Sequence, residues 1–168
     1  MSTTTKLSER QMYAQSFERE YQTTLRVLRA YPADQAQLKW AERSNTAMQT
    51  AWTLVLSQGV VLPILSEPTL APPEKMPEPP ATWGELIGAI EHTHAQVIAA
   101  LTAATDAQLD SNIQMTMPSG LVPMRRLDVL WMMLMDTIHH RGQLSVYLRA
   151  SGAKVPSIYG PSGDEPWK

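Results

Sequence analysis

The sequence contains no cysteine. This excludes a disulfide framework and a thiol nucleophile, so any thiol chemistry must use a thiol carried in by a substrate or cofactor. It also lacks any uninterrupted apolar run of the ~18 residues a membrane span needs, and its N-terminus, Met1 to Arg10, lacks the apolar core of a signal peptide. Nor is there an excess of positive charge. Fourteen Lys and Arg stand against sixteen Asp and Glu, for a net charge of −2, and the basic residues are scattered. That leaves no footprint for duplex or single-stranded nucleic acid. The expectation is a cytoplasmic protein with neither a nucleic-acid nor a membrane partner.

What is present suits one globular domain over residues 1–168, with 43% hydrophobic and 18% charged residues. Ser8 and Gln11 form a capping-box pattern that opens a helix reaching about Arg29, with Met12, Phe17, Tyr21, Leu25 and Leu28 at helical spacing. Pro32 ends it, and the polar connection that follows carries Leu38 and Trp40 as candidate core anchors. Ser44 is the expected cap of a second helix. Two apolar stripes in that helix, one through Met48, Trp52 and Val55 and one through Ala47, Leu54 and Val61, imply burial on two sides, and Pro63 should shorten or kink its end.

From Ser66 to Ala81 six prolines forbid regular structure and give an extended connection long enough to cross a bundle. Thr82 and Glu85 cap a third helix with a stripe through Leu86, Ile90, Val97 and Leu101 that exits at Thr105 and Asp106. His92 lies opposite that stripe, as a solvated residue does, and His94 lies at its edge. Asn112 to Val122 holds a turn signal at Pro118-Ser119-Gly120 with no obvious strand partner. A fourth helix then starts near Pro123 or Met124 and runs to Ala150, where Gly152 can take the left-handed conformation that closes it. Four helices and no convincing sheet give an all-α bundle.

The fourth helix carries the chemistry. At ~100° per residue, Asp136, His140, Gln143 and Tyr147 share one stripe, while His139 sits on its flank, roughly 70° from the centre. An Asp and a His one turn apart can share a divalent ion, since imidazole suits zinc, nickel or iron and a carboxylate oxygen can join it. The same two side chains can instead form a carboxylate–imidazole pair whose task is structural. Tyr147 either presents its hydroxyl to a cavity or fills the core with its ring. Gly142 inside a helix suggests that another backbone approaches it closely.

The run Ile138-His139-His140-Arg141-Gly142-Gln143-Leu144-Ser145-Val146-Tyr147-Leu148-Arg149, followed by Gly152, Val155 to Ser162 and Asp164-Glu165, resembles the C-terminal signature of the DinB/YfiT-like family. That resemblance implies a four-helix bundle, in which the proline-rich stretch read above is the long connection between helices two and three. It also implies a divalent metal held by one histidine on the second helix and two, spaced HxxxH, on the fourth. His140 matches the second of that pair, and Asp136 stands where the first would be. The helix-two histidine falls at Thr53, or at Ala51 in a register two residues shorter, and Gln49 lies on the same polar face as Thr46, Thr53 and Ser57.

A hydroxyl is a weak ligand and a methyl is none, so the ligand set reads as depleted. The family implies metal-dependent hydrolase or thiol S-transferase chemistry with a low-molecular-weight thiol. The alternative is a dimeric scaffold or small-ligand-binding protein without the metal. Met132, Met133 and Met135 make the fourth helix apolar on several sides, which together with the frequent dimers of the family leads to the expectation of a homodimer. Arg141 is expected to pair with a carboxylate or a loop carbonyl.

Overall fold

The computed structural model describes residues 6–166. The first five residues of the stretch read above as lacking a signal-peptide core, and the last two of the chain, lie outside it. Helix α1 spans Glu9–Ala30, α2 Ala47–Gly59, α3 Val61–Ser66, α4 Trp83–Ala103, α5 Asp106–Asp110 and α6 Arg126–Ala150. Strands β1 (Thr69–Leu70), β2 (Asn112–Met117) and β3 (Gly120–Arg125) form a small sheet. The four-helix bundle is made of α1, α2 continued by α3, α4 and α6. Helices α4 and α6 each pack on both α1 and α2.

Two clusters of buried side chains fix the direction of each helix. One joins the C-terminal half of α1 (Leu25, Leu28) to the N-terminal half of α2 (Met48, Ala51, Leu54), the start of α4 (Trp83, Leu86, Ile90) and the end of α6 (Leu144, Leu148). The other joins Tyr13 and Phe17 to α3 (Val61, Ile64), the end of α4 (Val97, Leu101) and the start of α6 (Leu127, Leu130, Leu134). So α1 and α6 run one way and α2 and α4 the other. Because α2 and α4 are parallel, their connection must return along the bundle, about 30 Å for a helix of this length. The proline-rich segment makes that return in extended form, with the Trp52 indole N–H donating to the Pro77 carbonyl at 2.8 Å.

The capping boxes at Ser8/Gln11 and Thr82/Glu85 both form. The second helix is capped by Thr46 with Gln49, not by Ser44, whose hydroxyl is spent on the Ala41 carbonyl. Its path breaks at Val60, between α2 and α3. Pro63 there lacks the N–H that would bond the Gly59 carbonyl. The stretch Ala47–Ser66 has the length and mean hydropathy, 1.3, of a membrane span, but half of it is buried in the bundle. Its Gln58 amide donates to the Ile90 carbonyl at 2.8 Å.

Several expectations are corrected. Trp40 is no core anchor, being 64% exposed, whereas Leu38 packs against the core. The stretch after α5 does have a strand partner. Asn112–Met117 pairs antiparallel with Gly120–Arg125 around the expected turn, and Gly120 takes φ +111°, a conformation that favours glycine. Pro123 therefore belongs to β3, where a missing N–H is tolerated at a sheet edge, and α6 starts at Arg126. The proline-rich connection also contains one short regular piece, β1, which pairs with β2 between Pro68 and Pro72. Gly142 is approached by nothing within 4 Å of where a Cβ would stand.

Candidate functional site

Helix α6 presents Asp136 and His140 toward α2, half-buried, with Asp136 Oδ1 3.4 Å from His140 Nε2. The residue of α2 that meets them is Ser57, whose hydroxyl donates to Asp136 Oδ2 at 2.7 Å. On the other side His140 Nδ1 lies 2.9 Å from Gln143 Oε1, and Gln143 Nε2 lies 3.0 Å from His139 Nε2. Spacings of three and four residues on one helix put these side chains in reach of one another. The result is a continuous polar chain, Ser57–Asp136–His140–Gln143–His139.

The orientation of the Gln143 amide sets where the protons sit. With its oxygen toward His140, that ring carries its proton on Nδ1, so Nε2 faces the carboxylate and needs a second proton or a cation between them. With the amide reversed, His140 Nε2–H donates to Asp136 and the chain is satisfied by neutral rings.

Gln143 also lines a cavity of about 320 Å³ between the α1–α2 connection, α2 and α6, together with Trp40, Asn45, Thr50, Val146 and Tyr147. Tyr147 does both things open to it. Its ring is buried in the core, and its hydroxyl donates to the Asn45 carbonyl at 2.7 Å at the cavity wall. Trp40 overhangs this space, which explains a large apolar side chain left in solvent. Neither Thr53 nor Gln49 joins this group. The Thr53 hydroxyl is turned back onto the Gln49 carbonyl at 3.1 Å, and the Gln49 side chain completes the cap of α2. Both line a separate groove against Met76 to Pro79 of the proline-rich connection.

Beneath the site a buried polar layer ties the bundle together. Arg141, 1% exposed, donates to Glu20 Oε2 at 2.7 Å and to the Tyr159 hydroxyl at 2.6 Å. Tyr159 in turn donates to Glu20 at 2.7 Å, and the guanidinium lies 5.2 Å from its ring centroid. This anchors the segment after α6 to α1, and Asp164 reinforces it. The Arg149 guanidinium and the Val155 N–H hold the Asp164 carboxyl below the usual carboxylate range. His92 is exposed. His94 stacks on Tyr21, with 3.4 Å between ring centroids, and pairs with Glu18 at 2.9 Å, away from the cavity.

The donor set can be tested against a divalent metal. His140 Nε2 and Asp136 Oδ1 are suitable donors on one side, with Gln143 as an outer partner that could fix the ring. The third position facing them is a neutral hydroxyl already committed to Asp136. Among the described residues no group of three or more His, Asp or Glu side chains is arranged to hold a metal ion. A catalytic zinc ordinarily takes three protein ligands and keeps a fourth position open, so these residues do not fit one. Ser57 and the cavity residues Trp40, Asn45 and Thr50 carried little sequence signal. Ser57 alone was visible, as the last member of the polar face running from Thr46.

Comparison with known proteins agrees with this architecture. YrdA of Bacillus subtilis is 28% identical over 158 residues, covering 91% of this chain and 89% of its own. A DinB-like protein from Bacillus cereus superposes with a TM-score of 0.73 at 22% identity, over 88% of this chain and 95% of that one. YfiT from Bacillus subtilis, described as a probable metal-dependent hydrolase with an unusual four-helix bundle topology, superposes with a TM-score of 0.68 at 15% identity, over 92% and 95% of the two chains. The profile of the DinB superfamily matches residues 16–144, and the chain belongs to that superfamily.

Proposed function

We propose that this protein binds a small, neutral organic molecule in the cavity between α2 and α6, on a family scaffold whose metal centre is incomplete. The observation that carries this reading is Ser57: the α2 side chain that meets Asp136 offers a hydroxyl where a catalytic ion would need a strong donor. The cavity itself is formed and of ligand size. Its walls combine the Trp40 ring and Val146 with the Gln143 amide, the Thr50 hydroxyl being turned back onto the Thr46 carbonyl, and no charged side chain lines it. An apolar body with one or two hydrogen-bonding groups suits such a surface, and a charged ligand would lack a counter-ion. The Asp136–His140 pair then serves to hold Gln143, and through it the cavity wall, in place.

The hydrolase description of YfiT and the implied thiol S-transferase chemistry favour an enzymatic reading of the same pair. Both need an ion that polarises a water or a thiol, and the donors here are two. The test of the binding reading uses the neutral fluorescent probe N-phenyl-1-naphthylamine. Saturable binding with one site per chain, weakened by Trp40→Ala and by Gln143→Ala, is the expected result. Binding that is unsaturable, or indifferent to both substitutions, would refute it.

A further inference from the structure

Beside the cavity, on a neighbouring face of α2, runs the groove against the proline-rich connection. Its volume is about 280 Å³, and Asn45 lines both it and the cavity. The two basins therefore meet at one exposed residue, just before the Thr46 cap of α2. Pro77 and Pro79 stiffen the outer wall of the groove, and the bond from the Trp52 indole N–H to the Pro77 carbonyl pins that wall to α2. Trp52 and Leu56 supply apolar surface within it. Met76 borders the groove 58% exposed, as Trp40 borders the cavity 64% exposed. Each basin thus has a large apolar side chain left in solvent beside it.

Most polar side chains around the two basins are spent within the chain. The hydroxyls of Ser44, Thr50 and Thr53 are turned back onto backbone carbonyls. The Gln143 amide is divided between His140 and His139, and the Tyr147 hydroxyl donates to the Asn45 carbonyl. Glu78, the charged residue of the groove, lies 3.4 Å from Lys75 and is 76% exposed. Gln49 uses its Oε1 to cap α2, which leaves its Nε2 free to donate. Among the described residues nothing bonds the side-chain amide of Asn45. An asparagine amide offers both an acceptor and donors, which together match the N–H and the C=O of a secondary amide. A carboxylate would find no cation at this point, and an ammonium only a carboxylate that is already paired and solvated.

We infer that the two basins form one site for an acylated amine, an inference that rests on the ligand reading of the cavity. An aromatic or apolar body lies in the cavity beside Trp40, a secondary amide meets Asn45 and Gln49, and an aliphatic arm follows the groove along Trp52, Leu56 and Met76. A compact ligand fills the cavity alone and leaves the groove wet. An elongated one removes apolar surface from water in both basins, and because the outer wall is already pinned, little ordering is needed to receive it. The amide sits where the free hydrogen-bonding groups are, so it sets the position of the other two parts. An ester in its place lacks the N–H and leaves the Asn45 oxygen unmatched.

Three neutral probes test this on the full chain by titration calorimetry: N-(1-naphthylmethyl)acetamide, N-(1-naphthylmethyl)hexanamide and the naphthylmethyl ester of hexanoic acid. The hexanamide is expected to bind about tenfold more tightly than the acetamide, and more tightly than the ester. Met76→Asp sets a carboxylate beside the arm and should abolish the gain from the longer chain. Asn45→Ala should abolish the preference for amide over ester. Circular dichroism checks that both variants are folded. Equal affinities for acetamide and hexanamide, a chain gain that survives Met76→Asp, or an amide preference that survives Asn45→Ala would each overturn the inference. N-phenyl-1-naphthylamine separates this claim from the one beneath it. If that probe binds at one site while the hexanamide gains nothing, the cavity stands and the extended site falls; if it does not bind, both fall.

Discussion

The Ser57 hydroxyl donates to Asp136 Oδ2 at 2.7 Å, joining α2 to α6 one helical turn from His140. What separates this arrangement from a metal centre is one nitrogen donor on α2. Ser57→His should therefore supply a third ligand beside Asp136 and His140 and create a zinc site of three protein donors. Titration calorimetry checks it, with Ser57→Ala as the control that gains nothing. Failure of a folded Ser57→His variant to bind zinc would show that Asp136 and His140 are not presented as ligands at all.

The Glu20–Arg141 pair is the most buried charge pair of the bundle, with side chains 6% and 1% exposed. Removing one member leaves the other charge uncompensated, which costs about 3–5 kcal/mol. Arg141→Met should lower the unfolding free energy by that amount and free the Tyr159 segment for proteolysis. The double variant Glu20→Gln, Arg141→Met should recover part of the loss. Urea unfolding compares the three.

Gly142 offers a test of opposite sign. An exposed helix interior with open space beside it accepts a methyl without strain. Gly142→Ala should raise the unfolding free energy of the single chain by about 1 kcal/mol. Thermal melting in dilute solution measures it.

His94 predicts a pH dependence. Burial lowers its pKa from the usual 6.5, and the nearby Glu18 carboxylate opposes this without cancelling it. Its Nδ1 has no partner, and Tyr21 and Phe17 stack on the ring. Because the folded value is depressed, the unfolded chain takes up the proton first as pH falls. The contribution of His94 to stability is thus intact above 6.5 and declines as pH drops from there toward the folded value. His94→Gln should flatten this part of the stability profile in urea melts taken between pH 5 and 8, a window set by the histidine range.

The bundle was legible because helical periodicity and two capping boxes are local signals, and α1 and α4 start where Ser8 and Thr82 said they would. The hairpin was not, because β3 contains Pro123 and exposes Leu121 and Val122, so it lacks the alternation that marks a half-buried strand. On α6 the spacing was enough to bring Asp136, His140 and Gln143 together. The partner on α2 was harder. Thr53 and Ser57 lie one turn apart on the same polar face, and only tertiary packing decides which hydroxyl turns inward and which bonds back to its own helix. The cavity depends on Trp40 staying outside the core, a placement that its hydrophobicity argues against.

The central claim is that two donors and a hydroxyl do not make a resident metal centre. The direct measurement is the metal content of protein purified without chelator, exposed to excess zinc and then dialysed, for the natural sequence and for His140→Ala. The expected result is far less than one ion per chain in both. One tightly held ion per chain, lost in His140→Ala, would contradict it.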